Sequence, residues 1–150
     1  MEGKMEGRAG PGNRWRIRRL LREVDRVIRG TPAGPPRSWL PVHGRRYRAV
    51  LALLVGALGH RGPRPLKGVR VLDAGTGFGQ LGLTAAGLGA EVDAVDRWYP
   101  EVPRELRVAF GMRWHRVNLE ARELPFEEGA FDAVLFCQVL EHLNYEEGPV

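Results

Sequence analysis

The stretch that most limits what this chain can fold into is Val69-Arg70-Val71-Leu72-Asp73-Ala74-Gly75-Thr76-Gly77-Phe78-Gly79. An apolar run with strand character ends in a carboxylate. Three glycines at alternate positions follow before a helical pattern opens near Gln80. Glycine has no Cβ, so such a turn can take positive φ and let a ligand approach the backbone closely. A helix starting at Gln80 would aim unpaired N–H groups at whatever the turn holds. A strand, a glycine turn and a helix in this order form a nucleotide-cofactor turn.

Two registers of that turn are possible. Gly77-Phe78-Gly79-Gln80-Leu81-Gly82 satisfies G-x-G-x-x-G, with Asp96 near the distance expected of a ribose contact, which would suit a dinucleotide. The other register is Asp73-x-Gly75-x-Gly77-x-Gly79, with the acid at the strand tip. A carboxylate there repels a pyrophosphate at short range and attracts a head group carrying an ammonium. S-adenosylmethionine, with its amino-acid tail and sulfonium, is a ligand of that kind, and electrostatics favours this register. Ala90 to Asp96 reads as a second strand, reached by a helix over about Gln80 to Leu88. Asp96 at its end can accept both hydroxyls of a ribose, a geometry common to both ligands. Trp98 is placed either to lie along an adenine face or to be a half-buried loop aromatic.

Further along come His115-Arg116-Val117-Asn118-Leu119-Glu120 and Leu124-Pro125-Phe126, then Phe131-Asp132, the strand Ala133 to Cys137, and Gln138-Val139-Leu140-Glu141-His142-Leu143. In order and spacing, Val69 to Leu143 resembles the class I S-adenosylmethionine-dependent methyltransferases, in the type 11-like group with an L-P-F…F-D…L-E-H-L signature. The resemblance implies an α/β fold, a Rossmann-like three-layer sandwich with strand order 3-2-1-4-5-7-6. This sequence supplies the first four of those strands, so the expected architecture is truncated after the fourth and carries a basic helical N-terminal extension. The cofactor implied is S-adenosyl-L-methionine, with no metal, in a cytoplasmic enzyme.

The site residues implied follow position by position. Asp73, Gly75, Gly77 and Gly79 would surround the methionine portion, with Asp73 facing the ammonium. Asp96 would bind the ribose hydroxyls, and Arg97 next to it counts among the cofactor contacts. Asn118 stands where the group usually has Asp and would face the adenine amino group through its carbonyl. Leu119 would offer its backbone N–H to the adenine ring, and Gln138 would line the floor near the transferred methyl. No catalytic residue is assigned; His142 is the one candidate base, since its ordinary pKa lies near neutrality. Methyl transfer from a sulfonium needs in-line positioning more than a strong base.

Other residues in these motifs have structural readings. Gly82 and Gly87 would allow close packing of helix on sheet. Asp132 would turn the chain into the fourth strand, Glu141 and His142 would begin a helix, and Cys137 would be a small buried strand residue. The fourth strand would be an exposed apolar edge, which favours self-association.

The segment before Val69 differs in character. Residues 1–68 hold 16 Lys and Arg against 4 Asp and Glu, whereas residues 69–150 hold 7 against 14. Asn13 to Arg29 fits an amphipathic helix with Ile17, Leu20, Leu21, Val24 and Ile28 on one side and arginines over much of the rest. Gly30-Thr31-Pro32-Ala33-Gly34-Pro35-Pro36 ends it, so residues 1–36 form a basic extension with a linker and 37–150 the cofactor-binding domain. A second helix, about Arg45 to Leu58, would dock on the sheet and close one side of the cofactor site. The arginine face over residues 14–29 would bind RNA phosphates, lie on an anionic membrane with the helix's apolar side inserted, or simply be solvated in an arginine-rich chain. The longest apolar run, Ala49 to Gly59, is too short to span a bilayer, and one cysteine allows neither an internal disulfide nor a cysteine metal cluster.

The expected function is S-adenosylmethionine-dependent methyl transfer to a small-molecule, lipid- or sugar-linked acceptor. An RNA methyltransferase using the basic helix and a non-catalytic S-adenosylmethionine-binding scaffold are the alternatives.

Overall fold

A computed structural model of the chain describes residues 10–32, 34–97, 102–120 and 123–143. The elements run α1 (Pro11–Arg29), α2 (Trp39–Leu58), β1 (Arg70–Ala74), α3 (Gln80–Gly87), β2 (Glu91–Asp96), α4 (Arg104–Phe110), β3 (Arg113–Arg116) and β4 (Ala133–Phe136), then a 3-10 turn at Leu140–His142. All strand pairs are parallel, in the order β3-β2-β1-β4. This matches the first four places of the expected order, with β1 central and the glycine turn at its carboxyl end. The last residues, from Asn144, and Trp98 lie outside the described residues.

Alternation along β1 sorts the core into two faces. Val71 points into the larger cluster with α1, α2 and α3, while Leu72 and Ala74 join Val95 and Val117 on the opposite face. Among the described residues no helix enters that second cluster; Leu119, Phe126 and Phe131 pack against it instead. β4 is the sheet edge among the described residues, and its Val134 and Phe136 are 57% and 45% exposed. Asp132 does lead into β4, and its carboxylate accepts from the Arg70 backbone N–H at 2.8 Å and pairs with the Arg70 guanidinium at 3.2 Å.

Close packing explains Gly82 and Gly87. A Cβ on Gly82 would stand 2.7 Å from the Asp73 carboxylate, and one on Gly87 would stand 2.6 Å from Leu20 of α1. The helix α1 is therefore seated tightly on α3. Ile17, Leu21, Val24 and Ile28 of α1 are fully buried in the same core as Leu51, Leu54 and Val55 of α2. The apolar side of α1 is thus committed to the protein interior.

Two elements differ from the sequence reading. The helix α2 starts at Trp39, six residues before Arg45, because Pro41 in a first turn leaves no needed N–H unpaired and Trp39 and Leu40 gain packing on the core. The seven-residue α4, absent from the sequence reading, buries no residue fully and rests Leu106 and Phe110 against the core. No described helix is long and apolar enough to cross a membrane.

If α1 belongs to the cooperative core, Leu21→Ala should lower the unfolding free energy by about 2–5 kcal/mol in a urea titration. A loss below about 1 kcal/mol would show that α1 unfolds separately from the sheet.

Candidate functional site

The turn after β1 is built from three left-handed glycines, Gly75, Gly77 and Gly79, at φ 77°, 51° and 82°. Their reasons for being glycine differ. A Cβ at Gly75 would collide with Val139 and one at Gly79 with Val102, whereas one at Gly77 would meet only open space. Gly77 is therefore held by its backbone conformation, and its N–H donates to the Asp96 carboxylate at 3.0 Å. The ends of β1 and β2 are thereby tied through the turn.

Asp73 is fully buried beneath this turn. It accepts from Thr76 Oγ1 at 2.8 Å and from the Gly82 backbone N–H, so it caps the start of α3 from the neighbouring strand. Burial pushes its pKa up to about 6, against the pull of those two hydrogen bonds and with a smaller push from Asp96. It does not line the cavity. The alternation of β1 aims it at α3, so its influence on a ligand runs through the turn it braces.

A cavity of about 450 Å³ opens at the carboxyl ends of β1, β2 and β4, a size typical of small-molecule sites. Gly75, Gly77, Asp96, Arg97, Asn118, Leu119, Gln138 and His142 all line it, so eight of the ten residues expected at the site converge on one space. Gly79 and Asp73 lie behind it. Gln138 has φ 56°, a left-handed conformation unusual for a residue with a side chain. Asn118 Oδ1 already accepts from the Glu120 backbone N–H at 3.1 Å, which leaves it one further lone pair for a donor. Arg97 pairs with Glu120 at 3.7 Å. His142 sits exposed on the 3-10 turn rather than at an α-helix start, and Cys137 lies one residue past β4, half-buried at the cavity wall. Burial raises the Cys137 thiol pKa and the Tyr47 phenol pKa, keeping both protonated near neutrality.

The sequence reading missed most of the opposite wall. Trp39, His43 and Tyr47 recur every fourth residue along α2 and line the cavity together with Phe78. Trp39 packs against His43 at a tilt of 43° with ring centroids 4.2 Å apart, meets Phe78 edge-on at 5.1 Å, and donates from Nε1 to the Tyr47 hydroxyl at 3.1 Å. The Nδ1 atom of His43 is buried without a hydrogen-bond partner among the described residues. The i, i+4, i+8 spacing of three aromatic rings is the signal that would have found this wall, once the helix is started at Trp39.

Residues 71–149 match the family model of a methyltransferase domain, more than half of the chain. The chain belongs to this family. Curated relatives include a ubiquinone biosynthesis O-methyltransferase of Methylocella silvestris, 42% identical over 89 residues, covering 54% of this chain and 32% of that protein. A second of the same name, from Azorhizobium caulinodans, is 35% identical over 120 residues, covering 73% of this chain and 46% of that protein. An uncharacterised protein of Mycobacterium bovis is 43% identical over 74 residues, covering 46% of this chain and 26% of its own length. The chain thus spans less than half the length of these relatives. No solved structure matches it.

The buried Asp73 makes a pH test possible. It holds its proton more tightly folded than unfolded, so its contribution is full below pH 3.8 and is lost as pH rises through about 6. Relative to Asp73→Asn, the wild type should lose about 2 kcal/mol of stability between pH 4 and pH 7. Parallel stability curves for the two proteins, from denaturant titrations at each pH, would contradict this placement.

Proposed function

We propose that this chain carries the S-adenosylmethionine-binding part of an O-methyltransferase acting on an aromatic hydroxyl of a small molecule. The observation that carries the reading is the meeting of the glycine turn and Asp96 in one cavity walled by aromatic side chains. When bound, the cofactor supplies an electrophilic methyl group on a sulfonium. The residues present suit that ligand. Asp96 at the end of β2 offers carboxylate oxygens to ribose hydroxyls, Asn118 and Leu119 offer a side chain and a backbone N–H to an adenine edge, and Gly75 and Gly77 admit the amino-acid tail.

The charge at the turn also separates this ligand from a dinucleotide. A pyrophosphate at the start of α3 would approach a place where Asp73 already takes the Gly82 N–H and where Asp96 adds a second carboxylate. An ammonium gains from the Asp96 carboxylate that faces the cavity.

The acceptor class is supported by two independent features. The relatives named for ubiquinone biosynthesis are O-methyltransferases by name, and the wall of Trp39, His43, Tyr47 and Phe78 offers ring faces and edges to a planar acceptor. A hydroxyl loses its proton as its oxygen takes the methyl group. His43 and His142 both line the cavity and are the imidazoles available to accept or orient that proton.

Asp96→Ala should weaken binding of S-adenosylhomocysteine by about 1.5–3 kcal/mol, the scale for lost charge-assisted hydrogen bonds. Undiminished affinity in a folded variant would remove Asp96 from the ribose contact and with it the proposed orientation of the cofactor.

A further inference from the structure

The fold uses only one side of α1. With Ile17, Leu21, Val24 and Ile28 buried, the outer side presents Arg14, Arg18, Arg22 and Arg26 at every fourth position, all exposed. The adjacent row is Trp15, Arg19, Glu23 and Val27, in which Trp15 is 61% and Val27 44% exposed. At the rise of an α-helix the arginine row forms a bar roughly 18 Å long, with one guanidinium about every 6 Å. Among the described residues none of these four arginines enters an ion pair. Arg19 lies over the Trp15 ring, 5.4 Å from its centroid.

The bar is fixed in direction. Near its start, Arg16 donates to the Gly62 carbonyl at 2.7 Å, and at its end Arg29 donates to the Arg37 carbonyl at 3.4 Å. Both bonds reach segments flanking α2, so α1 lies broadside on the protein with its arginines outward.

We infer that this outer face of α1 docks on an anionic lipid bilayer, its arginines pairing with lipid phosphates and Trp15 seated among the headgroups. Charge complementarity comes first: five exposed arginines stand against one glutamate on the two rows. Arginine binds phosphate oxygens in bidentate geometry, and tryptophan is favoured at the membrane–water boundary. A single-stranded nucleic acid asks for a groove with successive aromatic platforms. This face is one side of a single helix with one exposed indole, already covered on one ring face by Arg19. Because the apolar side of α1 is in the core, the contact is peripheral and electrostatic, and salt weakens it. The inference stands apart from the methyl acceptor and from catalysis.

The test is flotation of the 150-residue chain with phosphatidylcholine vesicles made with or without phosphatidylglycerol, alongside polyuridylate binding. The wild type should float with phosphatidylglycerol vesicles alone and be released by added salt. Arg→Gln changes at positions 14, 18, 22 and 26 should each weaken partitioning roughly fivefold. Trp15→Ala should weaken it further and remove the vesicle-induced shift in tryptophan emission. Arg104→Gln, on α4 beyond α3, should change nothing. Thermal melts check that each variant is folded; if the fourfold variant is not, the Arg18→Gln, Arg22→Gln pair carries the comparison. Equal flotation of folded wild type and arginine variants would overturn the inference. So would polyuridylate binding without vesicle binding, which would assign the face to nucleic acid.

Discussion

The site depends on one buried carboxylate. Asp73 sits at the end of the central strand, out of water, holding the Thr76 hydroxyl and the Gly82 N–H. Those two bonds fix the glycine turn from below and bind the first turn of α3 to β1. Placing a charge there costs free energy, as its raised pKa records, and the hydrogen bonds return only part of that cost. What the arrangement secures is position. With the turn braced, the Gly77 N–H meets Asp96, and the ends of two adjacent strands face one space.

The helices complete that space from one side. Gly87 lets α1 settle onto α3 through Leu20, and α2 packs on both. Once α2 is held, its fourfold-spaced aromatic residues are presented to the cavity as a rigid wall, with Trp39 linked to Tyr47 and edge-on to Phe78. The N-terminal helices are thus part of the cavity's support, although they precede the family-matched segment. A buried polar link reinforces the joint: Asp25 of α1 pairs with Arg29 and accepts from Gln80 at the start of α3 at 3.5 Å.

Much of the site was legible in the sequence because local rules and the global fold agreed there. The run from Val69 to Gly79 combines strand residues with glycines whose positive φ values disfavour a side chain. Asp96 followed from the length of one helix and one strand. The role of Asp73 was harder to see: its charge was evident, but strand alternation, which hides it under the turn, becomes decisive only once the neighbouring layer is known. The start of α2 was obscured by Pro41, a local signal against helix that core packing of Trp39 and Leu40 overrides. Cys137 was misplaced because the strand ends one residue earlier, at Phe136. The aromatic wall was missed for the same reason as the helix start, since two of its three α2 members lie before Arg45.

The most direct measurement is titration calorimetry of this chain with S-adenosylhomocysteine, with NAD as the control. A braced glycine turn flanked by two carboxylates should give saturable, single-site binding of S-adenosylhomocysteine and none of NAD. Saturable binding of NAD, with no response to S-adenosylhomocysteine from the folded chain, would contradict the electrostatic basis on which the site has been read.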